Sequence, residues 1–156
     1  MSEKKNLIKP GAGAEITARL NKLTPHTQRL WGRMTAHQMI CHLNDSQRCA
    51  MGELPVTDRS NAFSRSVMKF VALWVPMKWP KGIPTVPEID QAAGGGTRPL
   101  DFDNDRKTLL QLLDRFSAQR RDFHFATHAI FGEMTEEEWM RWSYLHCDHH
   151  LRQFGL

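Results

Sequence analysis

Thr135-Glu136-Glu137-Glu138-Trp139-Met140-Arg141-Trp142-Ser143-Tyr144-Leu145-His146-Cys147-Asp148-His149-His150-Leu151-Arg152-Gln153 is the stretch on which the fold turns. Thr135 and Glu138 have the spacing of a capping box, and Gly155 follows as a stop, which predicts a helix from Thr135 to about Gln153. Trp139, Trp142, Ser143, His146, His150 and Gln153 recur at intervals of three and four. One face of the helix therefore carries large aromatic rings beside two imidazoles.

Upstream the helical period recurs. Residues 103–120 predict a helix with an Asp-rich first turn and a core face of Leu109, Leu112, Leu113 and Phe116. A shorter helix over 62–74 runs through Val67, Phe70, Val71 and Trp74. Thr35 and Gln38 form a second capping box, heading a helix that reaches about Met51 before Gly52. Its seam is Met39, His42, Leu43, Ser46, Cys49 and Ala50. Ile16, Leu20 and Leu23 mark a further helix over 12–23.

No segment alternates with period two between turn residues, so the expectation is an all-α fold. Four long amphipathic helices cover their apolar faces most simply as a four-helix bundle, one domain over residues 1–156. Between about Val75 and Pro99 stand Pro76, Pro80, Pro84, Pro87, Gly82 and the run Gly94-Gly95-Gly96. Neither a helix interior nor a central strand tolerates that composition, and a loop of this length is usually functional or disordered.

With 156 residues the chain can bury most of the surface its unfolded form exposes, so it needs no metal merely to fold. The shares of hydrophobic residues (40%) and charged residues (24%) are those of a globular chain. The longest apolar stretch, residues 67–77, is broken by Lys69 and Pro76, well short of the roughly 20 residues a spanning helix needs. Lys4 and Lys5 lead into no apolar segment, so no secretory signal is expected and the expected location is cytoplasmic. Cys41, Cys49 and Cys147 lack a framework spacing and suit reduced thiols. The net charge of +4 is spread along the chain without a basic stripe, so neither nucleic acid nor a membrane surface is an expected partner.

The chain has eight histidines, and three crowd the last helix. His146 and His150, one turn apart, share a face, whereas His149 points about 100° away from His150. Burying imidazoles beside Trp139 and Trp142 is unfavourable unless their nitrogens are satisfied. Two readings are open: hydrogen-bonded core histidines, or ligands of one ion. His42, on the seam of the helix over 35–51, is the best candidate for a third ligand. Three nitrogens suit a divalent Zn, Ni or Fe ion and leave coordination positions for water or substrate. Cys147 and Asp148 stand between the pair where a His-Glu-x-x-His protease has its glutamate, so that class is disfavoured.

Cys41 and Cys147 adjoin proposed ligands in sequence but turn away from them on a helix, and read as small buried hydrophobes. Asp45, Ser46, Ser143 and Gln153 lie within a turn of a ligand and are candidates to orient an imidazole. Asp45, Asp148, Glu53 and His149 are candidate bases, and none is assigned a catalytic role. Trp74 and Trp79 flank the loop, either as core or as walls of an apolar pocket.

These residues carry a resemblance. Trp31-Gly32-Arg33-Met34-Thr35-Ala36-His37-Gln38-Met39-Ile40-Cys41-His42-Leu43, then His128-Ala129-Ile130-Phe131-Gly132-Glu133-Met134-Thr135 with Trp139, and finally His146 to Gly155 resemble the DinB-like superfamily of metalloenzymes. They resemble in particular its bacterial branch ending in His-His-Leu-Arg-Gln-Phe-Gly. The resemblance implies an up-down-down-up four-helix bundle with its metal on one histidine of the second helix and a His-x-x-x-His pair of the fourth. Those positions fall on His42, His146 and His150. Relatives of that superfamily transfer small thiols such as bacillithiol or mycothiol, and others are known as stress-associated proteins. The branch itself carries over no activity; the wider superfamily suggests, as a hypothesis, thiol S-transfer with a small-molecule thiol or other small substrate, and homodimerisation through helix faces. The alternatives are a hydrolase using metal-bound water and a non-enzymatic metal-binding module. His128 matches the branch motif without an implied role.

Overall fold

Both capping boxes form in the computed structural model, which describes residues 4–156. Thr35 Oγ1 accepts from the Gln38 N–H at 3.1 Å while Gln38 Oε1 accepts from the Thr35 N–H at 2.9 Å. Thr135 and Glu138 repeat the exchange at 3.2 and 2.8 Å. Each box satisfies two backbone donors that a helix start otherwise leaves unpaired, and so sets where the helix begins. The helices are α1 (Ala12–Leu20), α2 (Ala36–Ala50), α3 (Lys69–Trp74), α4 (Phe102–Ser117) and α5 (Glu136–Gln153). Among the described residues there is no strand, only an isolated bridge between His128 and Gly132. The fold is all-α, and no described helix is long and apolar enough to cross a membrane. Residues 1–3, which open the basic N-terminal stretch, lie outside the described residues.

α2 lies against α4 and α5, α1 packs on α4 and α5, and α3 packs on α5. The apolar faces meet in one cluster in which Ile16, Leu20, Met39, Ile40, Leu43, Leu109, Phe116, Met140 and Leu151 are all buried. The face expected for α4 is the buried one. Its expected run to residue 120 stops at Ser117, because Ala118 turns extended and Arg121 folds back to bond the Phe116 carbonyl at 3.0 Å.

The helix over 62–74 departs from its expected face. Ser64–Met68 form a π-helical turn, which holds more residues per turn than an α-helix and so rotates every later side chain around the axis. Ser64 and Leu73 are buried, whereas Val67, Phe70 and Val71 are exposed. The stripe of Val67, Phe70 and Val71 therefore faces outward rather than into the core.

The chain between α3 and α4 holds two short 3-10 turns, Pro87–Ile89 and Gln91–Ala93, and is tied to α2 by one buried carboxylate. Asp45 accepts from Gln91 Nε2 at 2.6 Å, from the Thr97 N–H at 2.7 Å and from Thr97 Oγ1 at 2.7 Å. Gln38 Nε2 donates to the Gln91 carbonyl, and Arg33 pairs with Asp90 at 2.8 Å. The glycine run permits this closeness. A Cβ on Gly95 would collide with the Pro87 carbonyl, and one on Gly96, at φ 66°, would meet Gln91 Nε2 and stand 2.6 Å from Asp45 Oδ2.

Candidate metal centre

Where α2 crosses α5, His42 meets the pair one turn apart on α5. His146 Nε2 lies 3.2 Å from His42 Nε2 and 3.1 Å from His150 Nε2. His42 and His150 are buried; His146 is partly buried, with its Nδ1 shut off from solvent. The separations suit a shared ion, since metal–nitrogen bonds of 2.0–2.1 Å place tetrahedral ligand atoms about 3.3 Å apart.

Protons decide what this cluster is. His42 Nδ1 faces the Ile89 carbonyl at 2.8 Å, and His150 Nδ1 faces Gln153 Oε1 at 2.7 Å. Both oxygens only accept, so both Nδ1 atoms carry hydrogen and both Nε2 atoms of the neutral rings present lone pairs. His146 can supply at most one proton to two such lone pairs. If it does, its buried Nδ1 is an acceptor without a partner; if it does not, three lone pairs face one another and the Nδ1–H is unpaired. Either tautomer leaves buried polar atoms unmet, and a cation among the Nε2 atoms takes up the opposed lone pairs. The His42, His146 and His150 group can hold a metal ion.

Burial holds all three imidazoles below the ordinary histidine value, His146 and His150 well below it, where the neighbouring imidazoles add to the effect; at His42 the Ile89 carbonyl and nearby acids oppose it. The rings are therefore in the neutral form that metal ligation requires. Three ordinary histidines would release about two protons on binding metal at pH 6. Here the depressed values predict release of fewer. Calorimetric titration with zinc in two buffers of different ionisation enthalpy checks this, and release of two protons would contradict the geometry.

The triad forms part of the wall of a cavity of about 740 Å³, within the range of small-molecule sites. Trp31, Trp79, Trp139 and Trp142 line it, and Trp142 stands 4.7 Å from the His146 ring. Trp79 is fixed by a bond from Nε1 to the Ala72 carbonyl at 2.8 Å; Trp74 does not line this cavity. His149, placed by helical geometry outside the triad, nevertheless lines the cavity, 5.0 Å from Trp31, and burial pushes its pKa down to about 4. Nothing local marked this, because Trp31 and Trp79 come from other parts of the chain.

Of the candidates to orient an imidazole, Gln153 does so directly. Ser46 bonds back to the His42 carbonyl, Ser143 faces Gln47, and Asp45 holds the loop. The candidate bases Asp148 and Glu53 are paired, with Arg19 and Arg152 and with Arg115 respectively. Cys41 turns from the triad toward Asp105, and Cys147 is buried in the core. Cys49 lines the cavity, but burial pushes its thiol up to about 12, as it does those of Cys41 and Cys147. The orienting group that sequence reasoning missed is the Ile89 carbonyl, supplied by the loop.

Over residues 1–155 the chain matches the family described as Protein of unknown function (DUF1569). It belongs to that family. The DUF1569 match spans α1 to α5, and so takes in His42, His146, His150 and the loop that seats His42. No curated protein and no solved structure matches this DUF1569 chain.

Proposed function

We propose that the chain is a metal-dependent thiol S-transferase, an up-down-down-up four-helix bundle of the DinB-like kind in which His42, His146 and His150 hold a divalent Zn, Ni or Fe ion. The observation that supports this most is the meeting of three Nε2 atoms, with at most one proton among them, on the wall of an apolar cavity. When bound, such an ion supplies Lewis acidity, lowering the pKa of a small thiol toward neutrality. The Ile89 carbonyl and Gln153 keep the His42 and His150 lone pairs turned inward. Trp79 and Trp142 limit water around His146.

The chain's own thiols are held protonated, so the nucleophile is a separate small-molecule thiol. Its sulfur bonds to carbon of an electrophile, the leaving group departs with the bonding pair, and the thiol proton goes to solvent. Asp45, Asp148 and Glu53 are engaged elsewhere, and His149, the candidate base that lines the cavity, has its pKa pushed down to about 4 and is a weak base, which favours an acidified thiol over base-assisted attack by water in a hydrolase. A cytoplasmic location and a homodimer belong to the same reading.

The test is turnover of a chlorinated nitroarene by metal-loaded protein with glutathione, cysteine, bacillithiol or mycothiol. Metal-dependent consumption of at least one thiol, absent in His146→Ala, is expected; metal-replete protein inert with every thiol would contradict it. A second reading, a metal staple without chemistry, draws on the triad's joining of α2 to α5. A staple predicts a metal-free protein that melts far lower and a metallated one without turnover.

A further inference from the structure

His128 is the one cavity-facing histidine that neither belongs to nor adjoins the triad. His128 and Gly132 exchange backbone hydrogen bonds of 2.9 Å each way. At the tip of this turn, the Ile130 and Phe131 N–H groups donate to His128 Nδ1 at 3.1 and 3.0 Å. A ring nitrogen that accepts carries no hydrogen, so the neutral ring has its proton on Nε2. Burial, with a smaller contribution from Lys69, pushes the pKa down to about 4 and keeps the ring neutral.

The ring is packed among aromatic side chains. Phe131 stacks on it at 4.7 Å and 14°, Trp142 meets it edge-on at 5.2 Å, and Trp139 lies 5.5 Å away. No described residue accepts from Nε2, and the ring lines the cavity that holds the triad. Trp142 touches both His128 and His146, so one molecule lying along that indole reaches both imidazoles. Met68, Val71, Met77, Ile83 and Ile130 make the surrounding wall apolar. Lys69, the cation acting on His128, is neutralised by Glu138 at 3.2 Å, which suits an uncharged acceptor rather than a carboxylate.

We infer that His128 is a substrate-binding residue whose Nε2–H donates to a carbonyl-type oxygen on an apolar molecule held in the cavity. The inference rests on the S-transfer reading only for the role of that molecule, which is the electrophile. Its binding is independent of metal.

Competition with Nile red, a neutral dye, measures the affinity of benzophenone and of diphenylmethane, which differ in having C=O or CH₂. Wild-type protein is expected to bind the ketone about fivefold to tenfold more tightly, as one neutral hydrogen bond would give. His128→Asn keeps an oxygen near the Nδ1 position for the two turn N–H groups but lacks the Nε2 donor, and is expected to bind both probes equally. His128→Leu is the second donor-free variant should the asparagine variant not fold, and His128→Gln, with an amide N–H near Nε2, is expected to keep part of the preference. Wild-type protein stripped of metal by chelator is expected to keep all of it, which separates this inference from the metal reading. Equal affinities in the wild type, an unchanged preference in the donor-free variants, or no displacement by either probe would overturn it.

Discussion

Replacing Asp45 by alanine is expected to destabilise the protein by about 3–5 kcal/mol, the range seen when one partner of a buried charged network is removed. The Asp45 side chain is wholly buried, and the Gln91 amide, the Thr97 N–H and the Thr97 hydroxyl all converge on it. Alanine leaves these donors unpaired where water does not readily reach them. The damage is directional. Residues 87–97 lose three of their bonds to α2, which loosens the segment carrying the Ile89 carbonyl that fixes the His42 ring. Metal affinity is therefore expected to fall about tenfold, as when an outer partner of a ligating histidine is lost. Urea denaturation measures the first effect and competitive chelation the second. A variant with wild-type stability and affinity would show that the loop is not held as described.

The largest effect of metal is expected on thermal stability, and it should vanish with one side chain. An ion that binds only the folded chain at a thousand times its dissociation constant adds about 4 kcal/mol, or about 10 °C in melting temperature at this chain length. His146 lies within 3.2 Å of both other ligand nitrogens, so His146→Ala removes the central member of the set. In the variant, saturating zinc should move the melting temperature by less than 2 °C. Without metal the order reverses. Wild-type protein carries the buried Nδ1 and the opposed lone pairs, so metal-free His146→Phe should melt no lower than metal-free wild type. Scanning calorimetry on wild type, His146→Ala and His146→Phe, each with zinc and with chelator, measures all six values. An equal rise with zinc in wild type and His146→Ala would place the ion elsewhere.

How much of this was legible in the sequence follows from how far each interaction reaches along the chain. Thr35 with Gln38 and Thr135 with Glu138 complete their bonds within one turn, so the helix starts could be read directly. His146 and His150 need only helical geometry to share a face. His42 is different, because its meeting with them depends on how α2 lies on α5, and spacing alone left it a candidate. The Ile89 carbonyl left no trace, since every residue has one and only the returning loop selects it. The Gly94-Gly95-Gly96 run could be read as loop, but not as the site where the backbone presses against Pro87, Gln91 and Asp45. On the helix over 62–74 the period said which side chains share a face but not where that face points, and Val67, Phe70 and Val71 stand exposed.

The claim at the centre is that His42, His146 and His150 together hold one metal ion. Elemental analysis of the purified protein beside its His42→Ala and His146→Ala variants tests it most directly. One equivalent of a divalent transition metal in the wild type, with less than a tenth of it in either variant, is the result the geometry predicts. Equal metal in all three proteins would contradict it.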